Sequence, residues 1–211
     1  MARFKNVLLL VFLVFVFSLL GGFGVMAKKD AIKVGDQAPD FSLLAQDGSN
    51  VSLKDFAGKK SIVLYFYPKD NTSVCTREAC LFKDQYEVFG KKDTEVIGVS
   101  SDSVESHLGF ATAQHLPFKL LSDNDGQVRK LYGVPSTMGV VPGRVTYVID
   151  KNGVVRLVFN SQLDAQKHVD EALKVLAEID QTNADGPAKV DGTAKADDKA
   201  IVDEKGKPRI R

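Results

Sequence analysis

The chain has 211 residues and a formal net charge of +1, with 26% charged and 44% hydrophobic residues. This size and composition fit one globular domain with flanking segments, and the near-neutral charge argues against a nucleic-acid partner. Two cysteines exclude a disulfide-dense scaffold and an all-cysteine zinc site. Because His107, His115 and His168 also lack the spacing of metal ligands, neither a metal nor a cofactor is expected.

The first 27 residues have the three-part pattern of a secretory signal. Residues 1–6 carry two positive charges, residues 7–20 are almost wholly apolar, and the small residues Val25 and Ala27 precede a cleavage site before Lys28. The alternative is an uncleaved membrane anchor through residues 7–27, which is just long enough to span a bilayer. Either interpretation predicts an exported domain, in the periplasm or at the extracytoplasmic face of the membrane.

Strands alternate with helices in residues 28–181, which predicts one α/β domain. A hairpin is expected in FSLLAQDGSNVSL, and the apolar run SIVLYFY (61–67) predicts a buried strand that ends at Pro68. The later elements are predicted as a helix at 76–89, a strand at 94–100, a helix at 103–115, a strand at 118–123, a helix at 127–134, a hairpin at 144–160 and a helix from Asp164 to Ile179. The helix at 103–115 is expected to bury Val104, Leu108 and Ala111. This order implies a mixed sheet with helices on both faces.

The last thirty residues differ from the domain. Residues 182–211 contain no aromatic residue and mix alanine, glycine, aspartate and lysine. Such a segment buries too little apolar surface to offset the entropy that ordering costs. We therefore expect a disordered tail.

Both cysteines lie in the segment YPKDNTSVCTREAC (67–80), after the predicted buried strand. Cys75 is expected where a helix begins, and the unpaired N–H groups of a first helical turn favour the nucleophilic thiolate. Thr72 is placed to direct its hydroxyl at the sulfur or at a bound substrate, and Pro68, which has no N–H, to shield one side of the sulfur. The alternative is that Cys75 is a small buried residue without a chemical role.

This segment resembles the active-site segment of peroxiredoxins, most of all that of the bacterioferritin comigratory protein or Q-type branch, whose pattern reads approximately FYPKDxTPGCTxEAC. The resemblance covers about residues 33–180 and includes GDQAPDFSL (35–43), GVSSDSVESH (98–107), LPFKLLSD (116–123) and RVTYVID (144–150). It implies a thioredoxin-like α/β fold, with a central mixed sheet flanked by helices and an N-terminal β-hairpin. Ser73 and Val74 replace the Pro-Gly of the pattern, which leaves loop flexibility and substrate preference open.

The resemblance implies a thiol peroxidase that reduces hydrogen peroxide and organic hydroperoxides. Cys75 matches the peroxidatic cysteine, which attacks the O–O bond and becomes a sulfenic acid, and Cys80 matches the resolving cysteine. Thr72 matches the threonine that holds the peroxide and the thiolate. Arg144 matches the arginine that stabilises the thiolate and the leaving oxygen, and Pro68 matches the shielding proline.

Other residues near this segment receive lesser roles. Glu78 matches a glutamate that orients an arginine, and a solvated helix face is the alternative for it. The three histidines are expected at the surface or at helix caps. Lys69 and Asp70 are expected to line the loop without doing chemistry. Core packing, rather than an apolar collar around the thiol, is expected for Phe66, Tyr67 and Phe118.

The spacing of the cysteines has a consequence for the reaction. On one regular helix Cys75 and Cys80 would lie ~7.5 Å apart along the axis and on different sides, so their Cα atoms would be roughly 8 to 9 Å apart. A disulfide allows a separation of only about 7 Å. We therefore expect oxidation to unwind residues 75–82. Resolution within one chain needs no second subunit, so a monomer is expected, with a thioredoxin-like dithiol protein as the reductant.

Two other functions stay open. One is an exported thiol–disulfide oxidoreductase on the same fold, which normally has a Cys-x-x-Cys helix start that this chain lacks. The other is a non-enzymatic exported protein with a structural disulfide. In that protein Arg144 and Thr72 would have no reason to converge on Cys75.

Overall fold

The computed structural model describes residues 31–137 and 141–184. The predicted signal or anchor at 1–27 lies outside the described residues, and so does the predicted tail from residue 185 onward. Residues 182–184 are helical rather than disordered, and Thr182 Oγ1 donates to the Glu178 carbonyl oxygen at 2.9 Å. Within the described ranges, no helix is both long and apolar enough to cross a membrane.

A mixed sheet of seven strands forms the centre of the domain. The strands of the described residues are β1 (Ser42–Ala45), β2 (Asn50–Ser52), β3 (Ser61–Phe66), β4 (Thr94–Ser100), β5 (Lys119–Ser122), β6 (Ser136–Thr137), β7 (Val141–Pro142), β8 (Val145–Ile149) and β9 (Val155–Asn160). The sheet order is β2-β1-β5-β4-β3-β8-β9, and β6 pairs with β7 in a separate ribbon. Strands β3, β4 and β5 are parallel, whereas the hairpins β1–β2 and β8–β9 join the sheet antiparallel to β5 and β3. The predicted mixed sheet with its N-terminal hairpin is confirmed.

The helices of the described residues follow the prediction with shifts at their ends. They are α1 (Ser73–Asp84), α2 (Tyr86–Lys91), α3 (Val104–Gln114), α4 (Gln127–Leu131) and α5 (Ala165–Ala184), with a short 3-10 helix at Leu53–Phe56. The single helix predicted at 76–89 is two helices, because Gln85 leaves the helical conformation with φ −102° and ψ 4°. As predicted, Asp164 caps the last helix, where its Oδ1 accepts from the Lys167 N–H at 3.2 Å.

The side chains of β3 alternate between two core layers, as the period of a strand requires. One layer, beneath α4, contains Ile62, Leu64 and Phe66. The other layer, beneath α1, α3 and α5, contains Val63, Tyr65 and Tyr67. Cys75 and Phe118 also belong to this second layer. Because Tyr67 and Phe118 are both part of the hydrophobic core, their predicted core packing is confirmed.

The buried face of helix α3 differs from the predicted one, which comprised Val104, Leu108 and Ala111. Leu108 is 51% exposed, whereas His107 is fully buried beside Phe110 and Ala111. A histidine can take this position because both of its ring nitrogens have hydrogen-bond partners. The expectation of surface or capping histidines is therefore wrong for His107.

Of the other two histidines, one is exposed as predicted and one is buried. His115 is exposed at the end of α3, where it takes the left-handed conformation with φ 52° and donates its backbone N–H to the Thr112 carbonyl oxygen. The prediction is confirmed for His115. It is wrong for His168, which is fully buried on the inner face of α5.

Candidate active site

The sheet topology brings two distant parts of the chain to one edge. Strand β3 pairs antiparallel with β8, and Phe66, the last residue of β3, lies opposite Val145. The chain that leaves β3 therefore lies beside Arg144, which immediately precedes β8. Helix α1 begins from this same edge, so it carries Cys75 toward Arg144.

Cys75 is the third residue of α1 and only 2% exposed. Asn71, just ahead of the helix, adopts the left-handed conformation with φ 57°, which asparagine tolerates better than most residues. The next residue, Thr72, is the N-cap, and its carbonyl oxygen accepts from the Thr76 N–H at 2.8 Å. The predicted position of Cys75 at the beginning of a helix is confirmed.

The Arg144 guanidinium joins three groups in the interior. Its Nη2 donates to Cys75 Sγ at 3.0 Å, its Nη1 donates to Glu78 Oε2, and its Nε donates to the Gln162 carbonyl oxygen at 3.2 Å. The planar fork of an arginine can hold all three at once. A buried cation in direct contact with Sγ stabilises negative charge on the sulfur.

Glu78 is fully buried, so a solvated helix face is wrong for it. Burial raises the pKa of Glu78 to about 8, against the opposing pull of Arg144. For Arg144, burial works to lower the pKa, but Glu78 and Cys75 outweigh it and leave that pKa raised. One carboxylate oxygen of Glu78, Oε1, has no hydrogen-bond partner and lies 3.7 Å from His168 Nδ1.

His168 contacts the same cluster from the side of α5. Its Nε2 donates to the Ser161 carbonyl oxygen at 2.8 Å, so in the neutral ring Nδ1 accepts from Thr146 Oγ1 at 2.7 Å. Burial lowers the pKa of His168 to about 4, which favours this neutral form. A signal in the sequence was available, because His168 follows Ala165 and precedes Ala172 at the spacing of the buried face of α5.

Sequence reasoning also missed Arg129, which is buried on α4. Its Nη1 donates to the Gly143 carbonyl oxygen at 3.0 Å and its Nη2 to the Tyr67 carbonyl oxygen at 2.9 Å. These carbonyls directly precede Arg144 and Pro68. Arg129 therefore fixes the two strand ends that carry the site relative to each other.

The remaining predicted site residues are Thr72, Pro68 and Cys80. Thr72 is exposed, and its Oγ1 donates to the Lys69 carbonyl oxygen at 3.0 Å rather than to the sulfur. Pro68 is half-buried between β3 and α1. Both cysteines are free thiols, and Cys80 lies half-buried on α1.

Comparison with known proteins places this site in a family. Residues 34–158 match the AhpC/TSA family model. Chloroplastic peroxiredoxin Q of Sedum lineare is 53% identical over 146 residues, which cover 69% of this chain and 78% of the relative. Chloroplastic peroxiredoxin Q of Arabidopsis thaliana is also 53% identical over 146 residues, covering 69% of this chain and 67% of the relative.

Solved structures agree with the predicted thioredoxin-like fold. Peroxidoxin BcpB of Mycobacterium tuberculosis superposes with a TM-score of 0.66 at 34% identity, over 70% of this chain and 98% of the other. Bacterioferritin comigratory protein of Xanthomonas campestris superposes with a TM-score of 0.63 at 29% identity, over 71% of this chain and 99% of the other.

These relatives correct the predicted location. The similar peroxiredoxin Q proteins are chloroplastic, so export to the periplasm or to the extracytoplasmic face of a membrane is wrong. The prediction of export rested on the basic and then apolar composition of residues 1–27, which does not by itself identify the compartment. The relatives also give no support to membrane anchoring or to an exported thiol–disulfide oxidoreductase. The chain belongs to the AhpC/TSA family, as a peroxiredoxin of the Q type, and is a peroxidase.

Proposed function

We propose that this chain reduces hydrogen peroxide and alkyl hydroperoxides by a two-cysteine mechanism. The observation that carries the proposal is the 3.0 Å contact from Arg144 Nη2 to Cys75 Sγ, since it places a fixed cation at a nearly dry thiol. The Xanthomonas campestris structure is described as giving insight into alkyl peroxide reduction, which supports the substrate class.

In the first step the Cys75 thiolate attacks the terminal oxygen of the peroxide. The O–O bond breaks, the sulfur is oxidised to a sulfenic acid, and the remaining oxygen leaves as an alkoxide or hydroxide that takes a proton from water. Arg144 stabilises the negative charge on both the sulfur and the leaving oxygen. Thr72 would hold the peroxide once its hydroxyl turns away from Lys69, and Pro68 would shield the sulfur.

In the second step Cys80 attacks the sulfenic sulfur. An S–S bond forms, the S–O bond breaks, and water leaves. Because Cys75 and Cys80 lie on one regular helix, α1 must unwind before their Cα atoms reach disulfide distance. A thioredoxin-like dithiol protein would then reopen the disulfide by exchange and be oxidised itself. Resolution within α1 needs no second subunit, so we propose a monomer.

The relatives are named as chloroplastic proteins, which supports a plastid as the location of this chain. The basic and then apolar residues 1–27 have the composition of a targeting segment that precedes the domain at 28–181. Residues 185–211, with their alanine, glycine, aspartate and lysine, have the composition of a disordered tail.

Counting thiols tests the chemistry directly. The full chain is reduced, freed of reductant and mixed with one equivalent of hydrogen peroxide, and the remaining thiols are counted within seconds. The parent should lose both thiols. Cys80→Ser should give a sulfenic acid that dimedone traps, and Cys75→Ser should keep its thiol.

Each result separates one part of the proposal from the others. A parent that keeps both thiols would reject peroxide reduction by Cys75. A sulfenic acid that persists in the parent would reject Cys80 as the resolving residue while leaving Cys75 in its role. A disulfide between chains on non-reducing electrophoresis would reject resolution within a monomer.

A further inference from the structure

A buried polar cluster lies next to the candidate active site but shares no residue with it. At its centre is Asp70, in the segment between β3 and α1, which is only 4% exposed. Its Oδ1 accepts from the Tyr67 hydroxyl at 2.7 Å. Its Oδ2 accepts from Ser106 Oγ at 2.8 Å and lies 2.9 Å from His107 Nδ1. The cluster thus connects this segment to α3.

Both ring nitrogens of His107 have polar partners. Nε2 lies 3.2 Å from the Leu121 carbonyl oxygen, which can only accept a hydrogen bond, so Nε2 carries a proton. Nδ1 lies 2.9 Å from Asp70 Oδ2 and 3.3 Å from the Tyr67 hydroxyl oxygen. Burial works to raise the pKa of Asp70, but hydrogen bonds from His107, Tyr67 and Ser106 outweigh it and lower that pKa, which keeps the carboxylate ionised.

The backbone of the segment is held at the same point. The Asp70 N–H donates to Asp102 Oδ2 at 2.9 Å, and that oxygen also accepts from Ser100 Oγ at 2.6 Å. The neighbouring residues Lys69 and Asn71 are exposed. Asp70, between two exposed residues, therefore attaches the loop to α3 and to the turn that follows β4.

Stability alone is a weak reason for such an arrangement. Burying a carboxylate costs free energy, and a buried charged network is often no more stabilising than apolar residues of the same volume. What the network does supply is a fixed direction, because three donors converge on one carboxylate. The residues held in place by it are Pro68 and Thr72, two positions to either side of Asp70.

We propose that Asp70 and His107 are positioning residues for the peroxidase reaction. Together they hold the loop between β3 and α1 so that Pro68 and Thr72 meet a peroxide bound at Cys75. This inference rests on the proposed function. Neither residue touches the sulfur, so both act through the loop.

The test separates the reactivity of the thiol from the binding of the peroxide. Asp70→Asn and His107→Gln are made in the full chain with Cys80→Ser, so that only Cys75 reacts. For each, we measure the second-order rate of sulfenic acid formation with hydrogen peroxide and the rate of Cys75 alkylation by iodoacetamide. Alkylation needs only an accessible thiolate, whereas reaction with peroxide needs the positioned loop.

We expect Asp70→Asn to slow the peroxide reaction by about tenfold to 100-fold, the usual effect of misplacing a reacting group by about 1 Å. Alkylation should stay the same or become faster, because a loosened loop uncovers the thiol. The control is Ala111→Gly, which weakens α3 without removing a polar contact and should leave both rates close to those of the parent. Ser106→Ala, which removes one of the three donors, should give a smaller loss and serves if Asp70→Asn does not fold.

The outcomes distinguish this inference from the proposed function. A parent inert to peroxide would reject both. A reactive parent with an equally reactive Asp70→Asn would reject the inference alone. Equal losses of peroxide reaction and alkylation, matched by Ala111→Gly, would mean that the cluster supports only the fold.

Discussion

At the scale of single residues, the site depends on one buried cation that faces two acidic groups. Arg144 contacts both Cys75 and Glu78, and a single positive charge cannot neutralise two negative ones. The raised pKa of Glu78 resolves this conflict, since a protonated carboxyl leaves the guanidinium charge to the sulfur. We infer that Glu78 orients Arg144 without competing for its charge near neutral pH.

This arrangement predicts a pH dependence of stability. Burial raises the pKa of Glu78 in the folded protein to about 8, whereas its ordinary pKa, expected in the unfolded chain, is 4.5. Between these values the folded state binds more protons, so the free energy of unfolding should fall as pH rises, by at most about 1.4 kcal/mol per pH unit. The lowered pKa of His168 gives a slope of opposite sign, but only between about pH 4 and its ordinary pKa of 6.5, so the window for Glu78 is pH 6.5 to 8.

Urea unfolding at several pH values, followed by circular dichroism, measures this slope. Both cysteines are replaced by serine so that thiol ionisation does not contribute. Glu78→Gln should abolish the fall between pH 6.5 and 8, while Glu178→Gln, on the exposed side of α5, should leave it unchanged. A slope that survives in Glu78→Gln would show that the carboxyl is already ionised in the folded protein.

At the scale of elements, the contacts between α1 and α3 oppose the unwinding that the proposed resolution by Cys80 requires. Cys80 Sγ donates to Gln114 Oε1 at 3.6 Å, and Lys83 Nζ donates to the Gln114 carbonyl oxygen at 3.0 Å. Both donors lie in the half of α1 that contains Cys80, the proposed resolving cysteine. The two contacts must break before Cys80 can move toward Cys75.

Removing either contact should therefore speed disulfide formation. Gln114→Ala or Lys83→Met removes one hydrogen bond worth about 1 kcal/mol, which corresponds to roughly a fivefold faster opening of α1. Amide exchange at residues 75–82 of the dithiol form and stopped-flow mixing with peroxide measure the two rates. Gln127→Ala, at an exposed position on α4, is the matched control and should change neither rate. Unchanged exchange in both α1 variants would mean that another contact limits the opening.

At the scale of the whole molecule, much of the fold could be predicted because its elements have local signals. The unbroken apolar run of β3 and the turns of both hairpins are visible in short windows of sequence. The sheet order is not, since the partners of each strand lie far along the chain. In the same way Cys75 and Arg144 are 69 residues apart, and before the structure only the family resemblance related them.

Buried polar residues were the part that sequence patterns could not predict. His107, Asp70 and Arg129 are each buried, yet a polar residue is ordinarily assigned to solvent unless its partners are known. Those partners come from other elements: His107 is on α3, Asp70 is in the loop after β3, and the carbonyls that Arg129 binds precede Pro68 and Arg144. Local periodicity contains no information on such contacts.

The packing between the sheet and α1 gives a last prediction that involves the whole domain. Gly98 on β4 lies opposite Tyr65 on β3, and a Cβ there would come within 2.7 Å of the Tyr65 hydroxyl oxygen and of Leu120 Cδ2. Tyr65 in turn stacks on Phe82 of α1, with ring centroids 4.6 Å apart. Gly98→Ala should therefore lower the free energy of unfolding by about 1–3 kcal/mol and speed amide exchange in α1.

Gly109→Ala on α3, where no atom lies within 4 Å of the new methyl, should instead raise stability by up to about 1 kcal/mol. Urea unfolding by circular dichroism suits both variants because the chain has no tryptophan. If Gly98→Ala were as stable as the parent, Tyr65 would have room to move, and α1 would not be held by the sheet in this way.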